Sequence, residues 1–216
     1  MLVRDAMTTN VVTVAGNTPV LEARKIMEVH NVRRLPVVDK GKLVGMVTKN
    51  MTRRAAPSDA TSLSVWEINY LMAKMMVKDI MKVDPITVSP DVTVECAVAT
   101  AQVRGVGALP VVEDGMVVGI LTTNDFFYKI LNPLLGINEG GKRIVVYKAD
   151  TPDQICKVMD AIKDGGATIK ALHTIAFPEA VSKDLIVHMD LDDATAIIEK
   201  LKGMSFHVDE RAHQAL

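Results

Sequence analysis

The chain has 216 residues, of which 49% are hydrophobic, and its 25 basic and 26 acidic side chains leave a formal net charge of −1. That length allows one large domain or two to three small ones, and the near-neutral charge argues against a protein whose main role is to coat nucleic acid. Because no apolar run approaches the ~18–20 residues that span a bilayer, and because the first ten residues lack the apolar core of a signal peptide, we expect a cytoplasmic protein without membrane contact.

An internal repeat organises the first two thirds of the chain. Residues 3–51 align with residues 77–125 without a gap, and 18 of the 49 aligned pairs are identical. The strongest similarity sets Leu35–Val38 against Leu109–Val112. A duplicated unit of this size generally cannot close its own core, so we expect the two copies to pack on each other.

Each copy predicts five elements in the order β-α-β-β-α. A β-prone run comes first, at Val11–Val14 or Pro85–Val88, and the helix that follows begins near Thr18 in copy one. Apolar residues at helical spacing mark the buried face of that helix: Val20, Ala23 and Met27, then Val94, Ala97 and Ala101. Two runs that are apolar on both faces predict covered strands: Leu35–Val38 and Leu43–Thr48, then Leu109–Val112 and Val117–Thr122. A hairpin-like turn joins each strand pair, and a last helix begins after Thr48 or Thr122.

The remaining patterns divide the chain into four segments. They are repeat one at 1–56, a helical linker at 57–76, repeat two at 77–134 and a C-terminal domain at 142–210. In the linker, a turn-rich start precedes Val65, Ile68, Leu71 and Met72 at helical spacing, which favours a helix over a flexible tether.

The C-terminal domain predicts a strand at Arg143–Tyr147, a helix behind Asp150–Pro152, two alternating strands, a second helix and a last strand at Phe206–Val208. The first of the alternating strands runs through Ile169, Ala171, His173, Ile175 and Phe177. The order β-α-β-β-α-β is the split ferredoxin-like motif. The fold class is therefore mixed α/β (α+β), with two β-α-β-β-α repeats as a pseudo-symmetric pair followed by a ferredoxin-like domain.

The two copies resemble a tandem pair of CBS domains, the Bateman module that senses adenosine-containing ligands. The resemblance is carried by the Leu-Pro-Val-Val pairs and by a signature of glycine, two apolar residues, Ser or Thr, two variable residues and Asp. Copy two matches this signature in full from Gly119 to Thr122 and Asp125, whereas copy one has Met51 at the last position. The tail resembles an ACT domain by topology, but Thr151–Asp153 stands where that family usually has a glycine. The combined order is similar to the acetoin-utilisation type of CBS protein.

Thr122 and Asp125 are the strongest candidates for a ligand site. A carboxylate in the first turn of the helix that follows a strand can accept hydrogen bonds from two vicinal hydroxyls, as on a ribose. The Thr122 hydroxyl offers a further hydrogen-bond partner. The alternative is helix capping, because Asp in a first turn is common and stabilises a helix by up to about 1 kcal/mol.

The copies differ in charge: residues 1–54 hold ten Lys or Arg and four Asp or Glu, whereas residues 77–130 hold four and seven. Arg33 and Arg34 precede the Leu-Pro-Val-Val strand, where copy two has Gly107 and Ala108. The resemblance implies that such basic residues reach the phosphates of a nucleotide whose ribose the other copy holds, although a solvated arginine pair remains the alternative. Because a thioether at Met51 accepts hydrogen bonds only weakly, we expect one competent site.

The adenine is expected against the first strand, near Asn10, Val12 and Thr13, with Ile86 or Thr87 close by. These are ordinary β-strand residues, and recognition through the backbone would leave no trace in the sequence.

No arrangement of residues predicts catalysis. The five histidines have no metal-ligand spacing, and Cys96 and Cys156 are too few for a disulfide framework or a cysteine-based zinc site. The motifs of serine hydrolases, P-loops and dinucleotide-binding folds are also missing. Because the basic pairs have no interleaved aromatic residues, we do not expect nucleic acid as a partner.

These observations favour a non-enzymatic sensor without a required cofactor or metal. Adenine nucleotide (AMP, ADP or ATP) or S-adenosylmethionine would bind as a regulatory ligand between the copies, and the ACT-like tail would relay binding. We expect a homodimer that acts on an enzyme or transporter. The alternative is an interaction protein with an empty cleft, whose tail binds an amino acid or a partner protein.

Overall fold

The structure is a computed structural model that describes residues 1–55, 64–137, 139–176, 178 and 181–211. Contacts divide the chain into two units, Met1–Phe126 and Phe127–Leu216. Unit 1 holds the repeat, and unit 2 holds the C-terminal sheet.

Copy one forms a hairpin flanked by helices. Its elements are α1 (Val3–Ala6), α2 (Val20–Val29), β1 (Arg34–Asp39), β2 (Lys42–Thr48) and α3 (Lys49–Arg54). Lys40 and Gly41 both adopt positive φ angles, 51° and 79°, as the two-residue turn of a type I′ hairpin requires. Val20, Ala23 and Met27 are buried, so the predicted inner face of α2 is confirmed.

The linker and copy two follow the same pattern. Their elements are α4 (Val65–Lys74), α5 (Val77–Ile80), β3 (Lys82–Val83), α6 (Val94–Arg104), β4 (Ala108–Glu113), β5 (Met116–Thr122) and α7 (Thr123–Asp125). Helix α4 confirms a helix in the linker and contacts α2. The turn-rich start at 56–63 and the side chains of Val65, Ile68, Leu71 and Met72 lie outside the described residues.

The β-prone run that opens each copy is shorter than predicted. Only Val14 and Val88 pair with a strand, through single parallel bridges to Val37 and Val111. Val11 and Val12 instead line a cavity.

The first segment of each copy packs on the other copy. The Val3 N–H donates to the Val92 carbonyl at 2.9 Å, and Thr8 bridges Ile120 of β5. In return, β3 pairs with β2 of copy one. The expectation that the copies pack on each other is confirmed, and the packing is a reciprocal exchange.

The signature glycines make this exchange possible. A β-carbon at Gly119 would collide with the Met7 side chain, and one at Gly45 would collide with the equivalent Met81. Each glycine therefore leaves room for a methionine from the exchanged segment.

Unit 2 begins at Phe127, the second residue of a π-helical stretch that spans Phe126–Leu131. It continues with α8 (Asn132–Leu135), β6 (Lys142–Val146), α9 (Pro152–Asp164), β7 (Thr168–Ile175), β8 (Asp184–Asp190), α10 (Thr195–Gly203) and β9 (Val208–Arg211). The sheet order β7-β8-β6-β9 is antiparallel throughout. The β-α-β-β-α-β order predicted from the sequence is therefore present.

Strand β7 departs from the predicted alternation. A bulge between Ile169 and Ala171 shifts its register, and both Ile169 and Ile175 are 39% exposed. Strand β7 ends at Ile175. Phe177, which the prediction included, lies outside the described residues.

Candidate functional site

Asp125 is held at the end of β5 by its own helix start. Thr122 is the N-cap of α7, and its hydroxyl accepts from the Asp125 N–H at 3.2 Å. In return, Asp125 Oδ2 accepts from the Thr122 N–H at 2.9 Å and from the Thr122 hydroxyl at 2.5 Å. The Asp125 side chain therefore completes a capping box, the alternative role that the sequence left open.

Thr8 adds a contact to Asp125 that the sequence did not predict. Its hydroxyl donates to Asp125 Oδ1 at 2.8 Å, across a separation of 117 residues. The exchanged N-terminal segment brings Thr8 there, and Asp125 is only 7% exposed. Since copy two has Lys82 at the equivalent position, the repeat contains no signal that would have identified this contact.

A cavity of about 520 Å³ opens between the two copies beside this network. Five of the predicted ligand residues line it: Asn10, Val12, Arg33, Arg34 and Thr122. Its wall also includes Thr8, Asn31 and Asn124, which sequence reasoning missed. We call this space the inter-copy cavity.

Four predicted site residues lie outside the wall of the inter-copy cavity. Asp125 itself does not line the cavity, but Thr8 and Thr122, whose hydroxyls donate to its carboxylate, do. Thr13 is exposed next to the Val14 bridge. Ile86 and Thr87 belong to the opening run of copy two, where Ile86 is the repeat equivalent of Val12. The pseudo-symmetry of the repeat therefore assigns them to the side of the domain pair opposite the inter-copy cavity.

Arg34 reaches from copy one to copy two. A β-carbon at Gly107 would stand 2.5 Å from Nη2 of Arg34, so the missing side chain at Gly107 makes space for the guanidinium. Burial, and secondarily the charge of Arg33, lower the pKa of Arg34. The inter-copy cavity thus combines hydroxyl groups of copy two with positive charge of copy one.

Met51 occupies the position equivalent to Asp125. Its N–H donates to the Thr48 hydroxyl at 3.2 Å, so the backbone half of the cap is retained. Its side chain packs against the apolar core of copy one. The carboxylate of copy two is therefore replaced by a thioether that serves the core.

Among the described residues, no group of three or more His, Cys, Asp or Glu side chains is arranged to hold a metal ion. No helix among the same residues combines the length and apolar character needed to cross a membrane.

One protein of another organism is similar to this chain in sequence. The inosine-5′-monophosphate dehydrogenase of Korarchaeum cryptofilum is 34% identical over 134 residues, which cover 62% of this chain. The chain spans only 25% of that protein's length.

Solved structures are also similar. AcuB from Vibrio cholerae, named for acetoin utilization, matches with a TM-score of 0.52 at 28% identity, over 61% of this chain and 91% of its own. The CBS domain pair of protein MJ0100, in complex with 5′-methylthioadenosine and S-adenosyl-L-methionine, matches with a TM-score of 0.51 at 29% identity, over 61% and 97%. CBSX2 in complex with AMP, a protein of Arabidopsis thaliana, matches with a TM-score of 0.50 at 28% identity, over 61% and 96%.

The family model described as CBS domain matches residues 3–55 and 77–132, which together make up half of the chain. The two matched segments contain the aligned copies of the internal repeat, residues 3–51 and 77–125. By these matches the chain belongs to the CBS domain family and carries two CBS domains in tandem.

Proposed function

We propose that the chain is a regulatory protein, without catalytic activity of its own, that binds an adenosine-containing ligand in the inter-copy cavity. The observation that carries this proposal is the wall of that cavity, where hydroxyl and amide groups, apolar Val11 and Val12, and two arginines meet. The similar CBS pairs in complex with AMP or with S-adenosyl-L-methionine support the ligand class.

Each part of the wall suits one part of such a ligand. Asn10 and Val12 suit the base, and Arg33 and Arg34 suit an anionic group. Asp125 serves the ribose when ligand hydroxyls replace the Thr8 hydroxyl, which both donates to Asp125 and faces the cavity. Ligand binding then exchanges one hydroxyl partner of the carboxylate for another.

Regulation further requires that the ligand prefers one arrangement of the protein over another, since equal binding to both shifts nothing. We propose that the displaced Thr8 segment is the moving part, because it belongs to one copy and packs on the other. The ferredoxin-like sheet of unit 2 supports the further proposal of an ACT-like relay domain. A cytoplasmic homodimer that controls an enzyme or transporter is the assembly we expect.

Thermal-shift measurements on the full chain test the ligand proposal. AMP, ADP, ATP and S-adenosylmethionine are compared on wild type, Asp125→Ala, Asp125→Asn and Met51→Ala. At least one ligand should raise the Tm of wild type and of Met51→Ala, and both Asp125 variants should lose that rise. Asp125→Asn nearly preserves side-chain size, so a folded variant remains available if Asp125→Ala unfolds. If no ligand raises the wild-type Tm, or if Asp125→Asn responds fully, the proposed site is wrong.

A second candidate function rests on unit 2. A cavity of about 590 Å³ there is lined by Tyr147, Lys148, Lys157 and His207, among others. Two lysines beside a tyrosine suit the carboxylate of an amino acid, which supports an interaction protein whose C-terminal domain binds that ligand. A Tm rise with amino acids that Lys157→Gln abolishes, without any response to adenosine compounds, would favour this alternative.

A further inference from the structure

Copy one carries a strongly basic cavity whose wall belongs to that copy alone. It has a volume of about 600 Å³, and α2, the start of β1, the end of β2 and α3 contribute to its wall. Five of the seven lining residues are cationic: Arg24, Arg33, Arg34, Lys49 and Arg53. The other two, Thr48 and Asn50, are polar. We call this space the basic cavity.

The charge of the basic cavity is poorly compensated within the described part of the chain. Arg24 pairs with Glu28 at 3.3 Å, but both side chains are half exposed, and such pairs contribute little. Arg53 donates to the neutral Asn50 amide at 3.1 Å. The other three cations form no ion pair with any described carboxylate. A wall with this charge attracts anionic groups.

The internal repeat shows that the fold does not require these cations. The five equivalent positions of copy two are uncharged: Val98, Gly107, Ala108, Thr123 and Phe127. Copy two nevertheless forms the same strand hairpin and the same helix before it. The polar pair of the wall is kept, as Thr122 and Asn124. The cations are therefore specific to copy one and are available for a partner.

The chemistry of the wall favours carboxylates on a flexible chain. Four of the five cations are arginines, and a planar guanidinium can donate two parallel hydrogen bonds to one carboxylate. The volume suits several side chains of a segment rather than a flat protein surface. Single-stranded nucleic acid is bound by aromatic side chains on which its bases stack, and none lines this wall.

We infer that the basic cavity docks an acidic segment of a partner protein, a stretch of chain rich in Asp and Glu. This inference goes beyond the proposed function, since the docking requires no adenosine-containing ligand. The segment gives a regulatory protein a defined point of attachment to the protein it controls.

Fluorescence anisotropy on the full chain tests the inference with two labelled peptides, hexaglutamate and hexaglutamine. Hexaglutamate should bind saturably at low ionic strength, and hexaglutamine, which has the same length without charge, should not bind. Added NaCl should weaken the binding of hexaglutamate progressively, because the cations of the wall are largely exposed and salt screens exposed charges.

A pair of double variants separates the basic cavity from general charge. Lys49→Gln with Arg53→Gln should weaken hexaglutamate binding at least about tenfold, because each variant side chain removes charge-assisted hydrogen bonds to carboxylates. Lys25→Gln with Lys42→Gln removes the same charge from two exposed residues of copy one that do not line the cavity, and it should bind hexaglutamate as wild type does.

Four results would overturn the inference. They are no saturable binding of hexaglutamate, an equal loss of affinity in both double variants, tighter binding of oligothymidine than of hexaglutamate, and a change of oligomeric state in the Lys49 and Arg53 double variant. The last result, measured by size-exclusion chromatography, would mean that a second copy occupies the cavity. The proposed adenosine site is tested separately by its thermal shifts, so either proposal can fail while the other stands.

Discussion

Copy one and copy two have nearly the same backbone but different chemistry at equivalent positions. Both have a two-residue turn with positive φ angles, a parallel bridge from the opening run, and a glycine that faces a methionine of the exchanged segment. They differ at two pairs of equivalent positions. Copy two has Asp125 where copy one has Met51, and copy one has Arg33 where copy two has Gly107. The shared positions build the scaffold, and the differing positions are where we propose that only one of the two equivalent sites binds a ligand.

Removing one core leucine from each copy is the largest expected perturbation of the shared scaffold. Leu35 and Leu109 are equivalent strand residues that are 0% and 1% exposed. Leu35→Ala and Leu109→Ala should each lower the free energy of unfolding by roughly 2–5 kcal/mol, because buried area is lost and a cavity remains. Urea unfolding followed by circular dichroism measures both. If only one variant is destabilised, the two halves are not energetically equivalent.

Filling the signature glycines should have a smaller effect. Gly119→Ala and Gly45→Ala force Met7 or Met81 away from its strand and should each cost about 1–3 kcal/mol. Gly45→Ala should be the worse of the two, since its β-carbon also approaches the Lys82 carbonyl at 3.1 Å.

Two further variants check this explanation by the same unfolding assay. Met7→Ala combined with Gly119→Ala should recover part of the loss. Gly203→Ala, at a position with no neighbour within 4 Å, should leave stability nearly unchanged. If Met7→Ala recovers none of the stability lost in Gly119→Ala, the contact with the methionine is not the cause of that loss.

Removing the capping threonine of each copy should have the smallest effect on stability, and the effect should differ between the copies. Thr48→Ala removes one accepted bond from the Met51 N–H and should cost about 1 kcal/mol. Thr122→Ala also removes the hydroxyl bond to the Asp125 carboxylate and should cost about 2 kcal/mol. Calorimetric unfolding compares the two variants. Equal losses would mean that the bond from the Thr122 hydroxyl to the Asp125 carboxylate adds nothing to the stability of the cap.

The elements of the fold could be predicted because they leave local patterns. The helical spacing of Val20, Ala23 and Met27, and the turn signal ahead of Gly41, each act over a few neighbouring residues. The exchange of the first segments leaves no such local pattern. Met7 and Thr8 contact residues more than a hundred positions away, and nothing in the neighbouring sequence indicates those partners.

The candidate site was predictable in part for the same reason. Arg33, Arg34 and Thr122 stand beside recognisable strands, and the resemblance to a CBS pair implied that they belong to one site. The Asp125 carboxylate is covered by Thr8, which only the three-dimensional packing reveals.

The reciprocal exchange also constrains the order in which the molecule can form during synthesis. Copy one lacks its partner strand β3 until the ribosome has made Val83, although its own elements end at Arg54. Residues 1–8 must wait still longer, because the β5 strand they join ends at Thr122. Neither copy can therefore mature as a separate unit, and the tandem pair should become protease-resistant in a single late event of translation.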